Sequence, residues 1–115
     1  MASFQHLRVL ILSKNSIDTI ENLDVLPNLD VLDLNDNRIL KIENLRGLQK
    51  LRILNLSSNL ITVLDLPHAL KNLNELNLRK NFINEVKKIS LLTGLQRLYL
   101  SNNKVTSLEN LSNMP

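Results

Sequence analysis

Cysteine and tryptophan are absent from this 115-residue chain, and there are two glycines, three prolines, two histidines, one tyrosine and two phenylalanines. Each scarcity excludes something. Without cysteine there is no disulfide scaffold, no thiolate nucleophile and no Cys-based zinc site. Two glycines, Gly47 and Gly94, cannot build a Gly-rich phosphate loop. His6 and His68 leave little for metal or acid–base chemistry. The longest apolar run, Val9-Leu10-Ile11-Leu12, is far short of a membrane span, and Met1 to His6 carry no signal-peptide pattern. The expectation is a single domain over residues 1–115, without catalytic residues, metal or cofactor, in a reducing cytoplasmic compartment. The formal net charge is +3. It divides into −1 over residues 1–66 (seven Lys/Arg, eight Asp/Glu) and +4 over residues 67–115 (seven Lys/Arg, three Asp/Glu).

What the chain does have is leucine, at 28 positions, and asparagine, at 17. Both recur on a strict period. Written in rows that begin at Leu7, Leu29, Leu51, Leu73 and Leu95, the chain repeats every 22 residues without insertion. Row position 4 is Leu10, Leu32, Leu54, Leu76 and Leu98. Position 6 is Leu12, Leu34, Leu56, Leu78 and Leu100. Position 9 is Asn15, Asn37, Asn59, Asn81 and Asn103. Position 11 is Ile17, Ile39, Ile61, Ile83 and Val105. Residues 1–6 read as the tail of an incomplete preceding repeat.

Leucines at positions 4 and 6 alternate with variable residues, the period of a short strand with one buried face. Stacked rows place equivalent strands side by side, so the sheet is parallel. The position-9 amide both donates and accepts. Repeated in every row, it is expected to pair with its neighbours and with turn backbone groups that would otherwise be buried unsatisfied. Apolar residues at positions 14, 17, 20 and the next 1 are three apart, which suits a thin 3₁₀-like or three-residue-turn path and not a long helix. Pro67 breaks the pattern at position 17 and is expected to open a short helical turn. Both ends look uncapped, with Met1, Phe4, Leu111 and Met114 filling partial rows, so self-association through the ends is expected.

The pattern LxxLxLxxNxI, followed by xxIxxLxxLxx, resembles the leucine-rich repeat. The 22-residue form is similar to the subfamily typified by the regulatory subunit of protein phosphatase one. The wording of rows one and two, Ile20-Glu21-Asn22-Leu23 and Leu26-Pro27-Asn28-Leu29, looks closest to the leucine-rich subunit of the tubulin polyglutamylase complex, as does Leu95-Gln96-Arg97-Leu98. The resemblance implies an α/β solenoid. It would be a right-handed horseshoe with a parallel sheet on the concave side and short 3₁₀-like segments on the convex side. It also implies a non-catalytic protein-binding scaffold, with a cytoskeletal or ciliary setting. The alternatives are a phosphatase regulatory subunit or a component of an RNA–protein particle.

In such a solenoid, positions 2, 3, 5, 7 and 8 face outward from the concave sheet. Val9, Val31 and Ile53 form an apolar column at position 3. Ile11, Asp33, Asn55, Asn77 and Tyr99 form a mixed column at position 5. With Arg79 they make the candidate partner-binding set. Opposite charges at positions 2 and 8 are expected to neutralise one another across rows. Leu60 and Phe82, both at position 10 on the lateral rim, form a second candidate patch. One concave aromatic, Tyr99, is too few for a base-stacking platform, so the expected partner is a protein and not a nucleic acid.

Overall fold

The computed structural model describes residues 5–66, 70–87 and 94–105. The turn expected at Pro67, His68, and the end positions Met1, Phe4, Leu111 and Met114 lie outside these residues. Five three-residue strands form one parallel sheet: β1 (Val9–Ile11), β2 (Val31–Asp33), β3 (Ile53–Asn55), β5 (Glu75–Asn77) and β7 (Arg97–Tyr99), in the order β1-β2-β3-β5-β7. Val9 pairs with Val31, Val31 with Ile53, Ile53 with Glu75 and Glu75 with Arg97, so the register equals the sequence period.

The central leucine of each strand points inward. Leu32, Leu54 and Leu76 are fully buried, as are Leu56 and Leu78 beyond the strands. Their equivalents in the outer rows, Leu10, Leu12, Leu98 and Leu100, are only partly buried and pack against the core from its ends. Each fully buried leucine contributes roughly 1.5–3 kcal/mol of transfer free energy. The core is therefore a stack, deepest in its middle rows.

Two devices end the concave strands after three residues, the first in rows two to four and the second in all five rows. The side-chain oxygen at position 5 accepts the amide at position 7: Asp33 from Asn35 at 2.9 Å, Asn55 from Ser57 at 3.0 Å, Asn77 from Arg79 at 3.1 Å. Position 8 then turns left-handed in all five rows, with φ of 59° at Lys14, 59° at Asp36, 56° at Ser58, 59° at Lys80 and 61° at Asn102. No glycine occupies this position, although the conformation costs ordinary residues about 1–2 kcal/mol.

The turn delivers the position-9 asparagine into the core. Asn37, Asn59 and Asn81 are the buried polar residues among those described. The amide of Asn59 donates to the Leu34, Leu56 and Ser57 carbonyls at 3.1, 3.0 and 3.1 Å, and its oxygen accepts from the Ile39 amide at 3.0 Å. Asn37, Asn81 and Asn103 repeat this set in their own rows. The ladder runs through backbone groups of two successive rows; neighbouring asparagine side chains do not bond each other.

On the convex side the three-residue spacing takes its turn form. Leu26 donates to the Leu23 carbonyl at 3.0 Å and Leu29 to Leu26 at 3.2 Å, and Leu48 and Leu51 do the same in row two. Successive bonds begin three residues apart and so do not overlap into a 3₁₀ helix; no helix occurs among the described residues.

The convex side also holds a sheet that the periodicity did not announce. β4 (Val63–Asp65) pairs in parallel with β6 (Glu85–Lys87), Val63 to Glu85 and Asp65 to Lys87. Rows one and two have no strand there. The difference lies at position 16. Asn22 and Asn44 adopt φ of 63° and 60°, which breaks the extended path. Asn44 also bonds the Ile20 carbonyl at 2.6 Å. Row three has Leu66 at this position, a bulky residue that tolerates the left-handed region poorly. Its chain stays extended long enough to form a ladder.

Candidate functional site

Each concave strand shows its outer face as two side chains, at positions 3 and 5, on a backbone already fixed by the ladder. Val9 and Ile11 in β1 are 50% and 62% exposed. Val31, Ile53, Asp33, Asn55, Asn77 and Tyr99 are half-buried, and Arg79 is exposed. The sheet pairing brings the two expected columns together as continuous lines across the rows. The apolar column is not uniform, however: row one presents it most openly, and neighbouring side chains cover much of Val31 and Ile53.

The polar residues of position 5 carry a second task. Asp33, Asn55 and Asn77 use one oxygen to close the strand-end turn. The Ser57 hydroxyl donates to Asn55 at 2.8 Å and lies 2.9 Å from the Asn35 amide oxygen. These residues are thus structural as well as exposed, which sequence spacing alone did not reveal. The i to i+2 acceptor geometry of Asn and Asp was the available signal.

Charges are sorted along the face. Arg52 holds Asp30 by two bonds, Nε to Oδ1 at 2.6 Å and Nη2 to Oδ2 at 2.9 Å. The hydrogen bond from Arg52 lowers the Asp30 carboxyl below its ordinary range, reinforced by the positive charges of Arg52 and Arg8. Arg97 pairs with Glu75 at 3.4 Å. The expected cross-row neutralisation thus holds at position 2 for Asp30 and Arg52. At position 8, Lys14 and Asp36 stand on adjacent rows but form no ion pair among the described residues. The Arg79 guanidinium lies over the Tyr99 ring, 4.2 Å from its centroid. A cation–π contact of this kind ties rows four and five together on their outer face.

An open polar cleft of about 390 Å³ lies where the concave face meets the strand-end turns, lined by Asn35, Asp36, Ser57, Ser58, Asn77, Arg79 and Lys80. The candidate binding set included Asn77 and Arg79; the other five stand at positions 7 and 8, which were expected to face outward but were not assigned to a partner. The left-handed turn at position 8, which brings Asp36, Ser58 and Lys80 to this edge, has no glycine to announce it, although the outward placing of position 8 was expected. The described residues contain no cluster of three or more His, Cys, Asp or Glu able to hold a metal. No helix among them is long and apolar enough to cross a membrane.

A short parallel strand in every row, each followed by an asparagine bonded to the backbone, defines a parallel β-solenoid of repeated units. Three leucine-rich repeat models match the chain, over residues 5–47, 27–81 and 94–114. The chain is a leucine-rich repeat protein. Among solved structures it is similar to a leucine-rich repeat protein of Leptospira interrogans, with 32% identity and a TM-score of 0.84. That match covers 96% of this chain and 29% of the other. It is also similar to TLR13 in its complex with ssRNA13, with 26% identity and a TM-score of 0.83, covering 98% of this chain and 17% of that one. The chain therefore spans under a third of either relative. No curated protein matches it. Leucine-rich repeats are commonly protein–protein interaction scaffolds.

Proposed function

We propose that this chain is a non-catalytic scaffold that receives a segment of a protein partner on its concave face. The observation carrying this reading is the exposure of Val9 and Ile11, 50% and 62%, on a strand whose backbone is fixed in the ladder. A large apolar side chain left open on a rigid sheet is an anchor in waiting, because the receiving surface needs little ordering when a partner arrives. Val31, Ile53, Asp33, Asn55 and Asn77 continue the face, and Arg79 stacked on Tyr99 closes it at the other end. Absence of cysteine suits a cytoplasmic setting. The wording shared with the tubulin polyglutamylase subunit favours a cytoskeletal or ciliary complex. The scarcity of concave aromatics weighs against both the phosphatase and the RNA-particle alternatives.

The test is affinity capture from cells by the full-length protein, followed by mass spectrometry. Ile11→Glu combined with Tyr99→Ala is expected to remove the specific partner set while circular dichroism and melting temperature stay near wild type. Retention of every partner by that double variant overturns the concave assignment.

A further inference from the structure

Along one lateral flank, position 10 reads Ser16, Arg38, Leu60, Phe82 and Lys104. Leu60 and Phe82 are 39% and 45% exposed, and Leu40, two positions beyond Arg38, is 58% exposed. The backbone here is already satisfied: Arg38, Leu60, Phe82 and Lys104 each donate to the position-11 carbonyl of the row before, at 2.8–2.9 Å. What the flank offers is side chains.

Behind this patch the convex segments of rows two and three separate. Asn84 donates to the Thr62 carbonyl at 3.0 Å, joining row four to row three. Among the described residues, no backbone hydrogen bond joins residues 40–44 to residues 62–66. The reason is the change of path at position 16 described above. The gap is a cleft of about 390 Å³ lined by Leu40, Ile42, Leu60 and Val63, with Lys41, Thr62 and Asp65 at its margins. Cations frame the apolar ground. Arg38 and Lys104 flank Leu60 and Phe82 in the column, and Lys41 borders the cleft. The Lys104 ammonium lies 5.7 Å from the Phe82 ring centroid. None of the three enters an ion pair formed among the described residues.

We propose that this flank is a second docking surface, and that its occupant is a short acidic amphipathic helix of a partner protein. The dimensions favour a helix. Rows stack about 4.8 Å apart, and a helix laid across them advances about 5.4 Å per turn. Apolar residues at i, i+4 and i+7 therefore meet Leu40, Leu60 and Phe82 in turn, the spacing used by helices that dock in grooves. The unpaired cations call for carboxylates one turn outside that triplet. Such a chain could hold two partners at once, one on its concave face and one on its flank.

The probe is a synthetic 18-residue peptide with Leu, Leu and Phe at that spacing, Glu in the flanking turns and Ala elsewhere. Its control carries Lys in place of Glu. Binding to the whole chain is followed by two-dimensional NMR and fluorescence anisotropy. The acidic peptide is expected to shift the resonances of Leu40, Leu60, Phe82 and Lys104, and to bind roughly tenfold more tightly than the control. That preference should fade at about 0.5 M salt. Leu60→Asp with Phe82→Asp should abolish binding, while Ile11→Glu with Tyr99→Ala leaves it unchanged. Arg38→Glu with Lys104→Glu, two exposed changes that spare the apolar patch, should reverse the preference toward the lysine peptide. Equal binding of the two peptides, shifts confined to the concave columns, or no binding of the acidic peptide at millimolar concentration each overturns the proposal. Because the two surfaces share no residue, either can fail alone.

Discussion

The side-chain oxygen of Asn59 accepts the backbone amide of Ile39, twenty residues earlier, at 3.0 Å. With its three donated bonds it satisfies backbone groups of rows two and three at once. Among the described residues, Asn15 in row one makes only the two bonds to Leu12 and Ser13 within its own row. Asn59→Ala strands the buried Ile39 amide, which alone costs about 1–3 kcal/mol. Asn15→Ala should cost at most about 1 kcal/mol, the net worth of an exposed hydrogen bond. Chemical denaturation of the two variants measures the difference, and equal losses would contradict a ladder that works between rows.

Gly94 is required by a close approach. A Cβ there would lie 2.8 Å from the Lys71 carbonyl oxygen, a backbone atom of the preceding row, and 3.4 Å from that of Leu73, where its own row begins. Gly94→Ala must push two rows apart and should cost about 1–3 kcal/mol, as overpacking does. Gly47 meets Asp24 at 3.2 Å, so its alanine variant should be the milder of the two when both are melted side by side.

The Arg52–Asp30 pair makes stability depend on pH in one direction. The Asp30 carboxyl is depressed in the folded chain. Its contribution is therefore present above the ordinary carboxylate range near pH 4 and is lost as pH falls through the lower folded value. Arg52→Met should melt slightly below wild type at pH 7, and the gap should close in acid. Both side chains are partly open to solvent, 55% and 25% exposed, so the neutral-pH gap should also shrink at high salt. A gap that persists in acid would assign the effect to the packing of the Arg52 stem.

Lys14 sits in the left-handed region at φ 59°, the same turn that Asn102 makes at 61°. Asparagine tolerates that region better than lysine does. Lys14→Asn should therefore stabilise the chain by up to about 1 kcal/mol. An unchanged denaturation midpoint would mean that the row holds its turn without local strain.

The rows, the strand register and the buried leucines were legible because each rests on a side chain that cannot be exchanged. An inward leucine at position 4 or an asparagine at position 9 repeats by necessity. The surfaces were less legible. Whether Val31 is open or covered depends on its neighbours across the sheet, which no single row reveals. Asp33 reads as a free acid until the turn that it closes is seen. Leu40 escaped notice because its column is otherwise Asp18, Thr62, Asn84 and Thr106, and exposure there follows from the parting of rows two and three. That parting traces to one residue type, asparagine at position 44 against leucine at position 66, where the spacing is identical and only the backbone preference differs.

The short ladder between β4 and β6 has a consequence for the shape of the array. Where the outer side of a solenoid is tied at the same interval as its inner sheet, the two arcs have equal length and the stack runs straight. Where the outer side is untied, it is free to fan out and the stack turns. Rows three and four are joined by backbone ladders on both sides, whereas among the described residues row two has a backbone ladder only on its inner side and is held outside by side chains such as Asn44. Asn44 thus leaves the outer side free to fan at the joint between rows two and three. Exchanging asparagine for an extended residue at position 44 would unbend the array at that joint without touching a single leucine of the core.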